Sequence, residues 1–161
     1  VDTLLRMGGE RGEAYERRWT ATLEADTRFG HRFRVYRDAK RAVAEKPFVA
    51  DAEYEAVARL AALFADRGAT VLLVNTAESP LMLADYGASD YYRGYREYFA
   101  AVAARHPGAR FVDLSEVLPA EDFNDLHHPN FVGSIKLGPV YADAIRAALG
   151  RLPGQAGGEA P

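Results

Sequence analysis

The sequence predicts an α/β fold with a parallel sheet packed against helices, and three observations carry that expectation. Thr70-Val71-Leu72-Leu73-Val74-Asn75 is a continuous apolar run rich in β-branched residues, the pattern of a strand buried on both faces. Arg110-Phe111-Val112-Asp113 is a second short strand. Between them, Ser89 is placed to cap a tyrosine-rich helix that runs to about Arg105. Strand, helix and strand in that order make a βαβ unit. Such open sheets place ligands just beyond the carboxyl ends of their strands. Here those ends are Asn75-Thr76 and Asp113-Leu114-Ser115.

The other elements follow from periodicity and punctuation. Glu13 to Arg28 reads as a helix, with Tyr15, Trp19, Leu23 and Thr22 on one face. Gly30 is expected to interrupt it, and a second helix runs from about His31 to Glu45. Phe29, Phe33, Tyr36, Lys40 and Val43 recur there at helical spacing, and Pro47 ends the segment. Asp51 is a natural N-cap for the next helix. Tyr54, Val57, Leu60, Ala61 and Phe64 form its apolar stripe, and Gly68 closes it. Residues 76–88 read as a loop, and Pro107-Gly108 as a turn. Phe131 to Leu149 is the last helix, with Ile135, Val140, Tyr141, Ile145 and Leu149 among its apolar positions.

Residues 1–150 therefore read as one α/β domain and residues 151–161 as a small, polar, disordered tail. Two strands are few for a parallel sheet, which needs neighbours and covered faces. Either Val1 to Leu5 adds a strand or strands precede Val1, and the second is the favoured expectation.

Composition narrows the function. At 161 residues and 48% hydrophobic, the chain can bury about two-thirds of its unfolded surface as one domain. A formal net charge of −3 argues against a general nucleic-acid partner. No apolar run approaches the roughly 20 residues that span a bilayer. With no cysteine, thiolate nucleophiles, disulfides and Cys-ligated zinc are excluded. The first residues lack the charged head and apolar core of a signal peptide.

The stretch with the most chemistry is Asp125-Leu126-His127-His128-Pro129-Asn130-Phe131-Val132-Gly133. A carboxylate three residues before a histidine, in a turn entering a helix, can reach the histidine Nδ1 and leave Nε2 facing a cleft. Acyl transfer requires such an orienting acid beside its general base. Asn130 can cap the helix that follows, and Gly133 is expected to let that helix approach the sheet.

Asp125, His128, Pro129, Asn130 and Gly133 resemble the C-terminal block of the SGNH (GDSL-type) hydrolase superfamily, Asp-x-x-His-Pro-(Asn/Ser)-x-x-Gly followed by a terminal helix. The resemblance covers about Ala69 to Leu149, and it includes the strand ending Val112-Asp113-Leu114-Ser115. It implies a three-layer α/β/α sandwich with a parallel sheet, of which this chain is the C-terminal part. It also implies a serine-dependent ester hydrolase or O-acyltransferase, with His128 as general base oriented by Asp125. The implied partner is a small-molecule ester or acylated carbohydrate, and no cofactor is required. The family's Gly-Asp-Ser-like nucleophile block, its oxyanion glycine and its Gly-x-Asn-Asp block are absent from this sequence. The nucleophile is therefore expected from an N-terminal portion missing here. The alternative is a catalytically inactive remnant that binds a carbohydrate or a partner chain.

Further candidates cluster near the strand ends. Asn75, Tyr86, Tyr91 and His127 are read as substrate-binding residues, since tyrosine offers an apolar face and a polar tip. Tyr95, Tyr98 and Phe99 read as packing on the sheet. A zinc site from Asp125, His127 and His128 is the less favoured chemistry, because successive loop side chains rarely converge on one ion. The basic run Arg28 to Arg41 reads as a solvated helix face. Asp113 and Glu78 sit where they either cap or touch substrate.

Overall fold

A computed structural model describes residues 13–150. Expectations for Val1 to Leu5 and for the tail from residue 151 lie outside the described residues, as do those for the side chains of Tyr15, Trp19, Leu23 and Phe29.

The chain is a mixed α/β protein, 61% helical with one small sheet. Helix α1 spans Glu13–Glu24 and α2 spans Arg28–Ala44. The break falls at residues 25–27, where Thr27 caps α2 by accepting from the Gly30 N–H. Gly30 is thus no interruption. It lies buried in the first turn of α2, where a Cβ would meet Thr22 O at 2.5 Å and Ala25 O at 2.6 Å. Only a residue without a side chain lets the two helices approach that closely.

Helix α3, Ala52–Ala65, is capped by Asp51, whose carboxylate accepts from the N–H groups of Glu53 and Tyr54. Gly68 takes a left-handed φ of 81° as the chain leaves it. Of the expected stripe only Ala61 is buried. Val57, Leu60 and Phe64 are exposed, together with Leu63. Helix α3 contacts both strands, yet these four large side chains are about half exposed.

Strand β1, Val71–Asn75, pairs in parallel with β2, Ala109–Asp113, with Val71 opposite Ala109 and Asn75 opposite Asp113. These two are the sheet among the described residues. Helix α5, Asp90–Ala104, crosses between them, with Ser89 accepting from the Tyr92 N–H as its cap. Helices α3 and α5 pack on each other and on both strands. Phe99 lies nearly parallel to Phe111, with ring centroids 6.4 Å apart.

The expected loop after β1 contains a helix, α4, Pro80–Tyr86. Pro80 occupies its first turn, where no N–H is needed. Its Met82 and Tyr86 are buried with Tyr92 and Leu126. Asp85 on this helix binds two arginines of α2, Arg37 Nε at 2.6 Å and Arg41 at 2.6 Å. Part of the basic run expected in solvent is therefore a clamp between helices, and the two guanidinium groups outweigh burial to hold the Asp85 carboxyl below its usual range.

A 3-10 turn, Ala120–Asp122, precedes α6, Phe131–Leu149. Asn130 caps α6 by accepting from the Gly133 N–H. Gly133 does not serve an approach to the sheet. A Cβ there would lie 2.3 Å from Asp122 O, so the glycine lets the 3-10 turn press on the first turn of α6. Gly133→Ala is expected to lower stability by about 1–3 kcal/mol, as overpacking does, measured by urea unfolding. An unchanged midpoint would show that this contact yields freely.

Candidate active site

The loop from residue 122 to 130 is tied independently of the Asp125 and His128 side chains. Asn124 N–H donates to His128 O at 2.8 Å, and Asn130 N–H donates to Asp122 O at 2.7 Å. The Asn130 side chain donates to Glu121 O at 2.7 Å. Phe123 bridges to Pro129 in antiparallel fashion, and Phe123 and Leu126 are fully buried beneath. At the base of the loop, Lys136 of α6 donates to both oxygens of the buried Asp122 carboxylate, at 2.9 and 2.6 Å.

On that frame Asp125 turns inward over its own successors. Its Oδ1 accepts from the His127 N–H at 2.7 Å and the His128 N–H at 2.6 Å. Its Oδ2 lies 2.9 Å from His128 Nδ1. An ionised carboxylate only accepts, so the Nδ1 carries the proton. Burial pushes the Asp125 carboxyl up, but the His128 N–H, the His128 ring and the His127 N–H outweigh it, and the group stays ionised below the usual aspartate range. The His128 side chain is 73% exposed, so its unengaged edge is open to a reactant.

His127 faces the other way. Its Nδ1 lies 3.4 Å from Glu78 Oε2, an ion-pair distance, and both atoms are buried without a directed hydrogen bond. Contact with Glu78 raises the His127 pKa above its ordinary 6.5, against the opposing effect of burial. The two imidazoles meet edge to face at 5.2 Å. Because their Nδ1 atoms serve different carboxylates, Asp125, His127 and His128 do not converge as a zinc site would require.

Two clefts share Tyr36 as a wall. The smaller, about 240 Å³, is lined by Arg32, Phe33, Tyr36, Leu126 and the Asp125–His128 pair. The larger, about 480 Å³, contains Asn75, Glu78, Tyr86 and Tyr91, with Tyr36 and Lys40 entering from α2. Asn75, Tyr86 and Tyr91 thus share one cleft, while His127 lines the other and reaches the first through Glu78. Asn75 is buried and donates to Tyr92 Oη and Asp113 Oδ1, both at 2.9 Å. Tyr91 Oη is 3.1 Å from Tyr54 Oη. Burial, with Glu78 next, raises Tyr86 far above ordinary tyrosine.

Asp113 organises the strand ends. It accepts from Ser115 Oγ at 2.7 Å, from the Ser115 N–H at 3.1 Å and from Arg96 at 3.2 Å. Burial pushes this carboxyl up, yet these donors hold it below its usual range. The serines take other places. Ser89 caps α5, Ser115 binds Asp113, Ser79 is fully buried with no partner for its hydroxyl, and Ser134 is exposed on α6. No described serine hydrogen-bonds to His128.

Sequence reasoning did not place Tyr36, Lys40, Tyr54 or Tyr95 in the cleft. Tyr36 and Lys40 stand one helical turn apart in α2, a signal that reads equally as core packing. Glu78 carried no signal beyond its place after a strand.

A family model matches residues 7–150, most of the chain. The chain belongs to that family, one of unknown function. An uncharacterised protein of Leptospira interrogans serogroup Icterohaemorrhagiae serovar Lai (strain 56601) is 26% identical over 107 residues, covering 66% of this chain and 20% of the relative. The chain thus spans about a fifth of the length of that relative. No solved structure matches. Among the described residues, no helix is long and apolar enough to cross a membrane.

The raised His127 pKa sets a pH dependence. Its contribution to stability is complete below the ordinary value of 6.5 and is lost as pH rises through the higher folded value. Urea unfolding across pH 5.5 to 9 should show stability declining over that upper range, and His127→Gln should flatten the decline. A wild-type curve no steeper than the variant's would contradict the assignment.

Proposed function

We propose that this chain carries the general-base half of an SGNH-type esterase or O-acyltransferase, built on that family's three-layer α/β/α sandwich. The observation that supports it best is the Asp125–His128 pair, with Nδ1 held on the carboxylate and the rest of the ring exposed beside a cleft. In this reading His128 Nε2 takes the proton of a hydroxyl nucleophile as that oxygen attacks the ester carbonyl. The same proton then passes to the leaving alkoxide as the acyl-enzyme forms. Water or an acceptor hydroxyl repeats the cycle in reverse, releasing the acid or a new ester. Asp125 stays ionised throughout, holds the tautomer and stabilises the imidazolium. The nucleophile comes from outside the described residues, and no cofactor is required.

A second reading has its own observation. No described serine hydrogen-bonds to His128, and α3 exposes Val57, Leu60, Leu63 and Phe64. These features suit a scaffold that binds a carbohydrate or partner chain without turnover.

Turnover of p-nitrophenyl acetate by the protein together with the portion that supplies the nucleophile, and by the His128→Ala variant of that same form, separates the two. Losing a general base should cost about 10²–10⁴-fold in rate, with melting unchanged because the ring is mostly exposed. Equal turnover in both proteins would sink the catalytic reading.

A further inference from the structure

We infer that the larger cleft binds a planar aromatic carboxylate, with the Lys40 ammonium on the carboxylate and tyrosine rings against the ligand's ring. The inference goes beyond the acyl-transfer reading and does not depend on it.

The polar groups of the cleft are largely spent on one another. Asn75 gives its amide hydrogens to Tyr92 Oη and to the Asp113 carboxylate, both at 2.9 Å. Tyr54 and Tyr91 pair their hydroxyls at 3.1 Å. Glu78 Oε2 is buried and lies 3.4 Å from His127 Nδ1, so its charge is answered from within the protein. A hydroxyl-rich ligand would find few open partners among these groups.

What stays open is aromatic surface. Tyr36, Tyr54, Tyr86, Tyr91, Tyr92 and Tyr95 line the cleft, and Val43 and Ala44 add apolar surface from α2. The rings brace one another. Tyr86 meets Tyr92 edge-on at 5.3 Å, and Tyr54 meets Tyr95 edge-on at 5.8 Å. Walls held in this way lose little side-chain freedom when a flat ring packs on them. The volume of about 480 Å³ lies within the range of small-ligand sites.

One charge at the cleft is unanswered. Of the cations on α2, Arg37 and Arg41 bind Asp85, and Arg34 donates to Ala25 O at 3.0 Å. Lys40 lines the cleft, and among the described residues no carboxylate pairs with it. Its Nζ stands 5.6 Å from the centroid of the Tyr36 ring, a contact that holds the ammonium at the cleft. Lys40 is half-buried, so salt screens its charge less than that of a fully exposed lysine. A carboxylate seated there gains a charge-assisted hydrogen bond.

Three other ligand classes fit less well. A saccharide would press its hydroxyls on groups already engaged with one another. A straight aliphatic chain forgoes the ring-to-ring contacts that tyrosine walls offer. An ammonium ligand suits aromatic walls, but here it would meet Lys40. Among these classes the aromatic anion uses both the ring surface and the charge.

The test is titration calorimetry of the protein with benzoate and β-naphthoate, with hexanoate, β-naphthylmethanol and benzyltrimethylammonium as controls. Saturable binding of at least one aromatic carboxylate is expected, weakened about tenfold or more in Lys40→Gln and in Tyr91→Ala and kept in Lys40→Arg. Tyr91→Ala probes the wall independently should the lysine variant melt early. Added salt should weaken binding by the wild type and change that of Lys40→Gln little. The assay reads binding and not turnover, so failure of the catalytic reading leaves this result standing. Absence of binding by both aromatic carboxylates, binding unaffected by both weakening variants, or binding of any control as tight as theirs would each overturn the inference.

Discussion

The ion pair of Lys136 with the buried Asp122 carboxylate holds the site together. Asp122 is 1% exposed, and a charge so placed is tolerable only while it is paired and hydrogen-bonded. Lys136 supplies that pairing from the second turn of α6. The Asp122 carbonyl meanwhile accepts from Asn130, whose side chain caps the same helix. One residue thus fixes where the loop starts, where it ends and how α6 is set against it. The Asp125–His128 geometry is a consequence. With both ends of the loop pinned and Phe123 and Leu126 buried beneath it, Asp125 has two N–H groups and one imidazole within reach.

The two adjacent histidines show how environment divides roles between identical side chains. His128 is solvent-facing and engages a carboxylate that is itself satisfied by two backbone donors. His127 has its Nδ1 buried 3.4 Å from Glu78 Oε2, an oxygen without a directed hydrogen bond. The first arrangement leaves an oriented imidazole with its other edge open to solvent. The second favours an imidazolium, which compensates a charge that α4 and the loop have enclosed. An oriented ring with an open edge suits base chemistry, and the half-buried histidine suits holding a wall in place.

Much of this arrangement was legible because it is local. The caps Asp51, Ser89 and Asn130, the two strands and the bounds of the last helix depend on residues within a few positions of one another. So does the reach from Asp125 to His128. What escaped the sequence is long-range. Helix α4 was read as loop because its seven residues carry too short a pattern, and its burial of Met82 and Tyr86 depends on Tyr92 and Leu126. Gly30 reads as punctuation and Gly133 as room for an approach to the sheet, yet the atoms that crowd them are carbonyl oxygens of Thr22 and Ala25 and of Asp122, which no local pattern marks. Tyr36 and Glu78 lie 42 positions apart, and nothing local marks them as neighbours of one cleft.

The sheet presents the remaining physical problem. A parallel pair of five-residue strands gains little by itself, and its stability here leans on α3 and α5 pressing against it. On α3, Val57, Leu60, Leu63 and Phe64 nonetheless stay exposed. A helix that is apolar on two sides is normally covered on both. The same geometry bears on the chemistry. Ligands bind beyond the carboxyl ends of parallel strands, and β1 and β2 contribute Asn75 and Asp113 there, both of them hydrogen-bonding groups rather than nucleophiles. A hydroxyl reaching His128 in line with those ends would come most directly from a further strand of the same sheet. On the acyl-transfer reading proposed above, the element that supplies that hydroxyl would also extend the sheet.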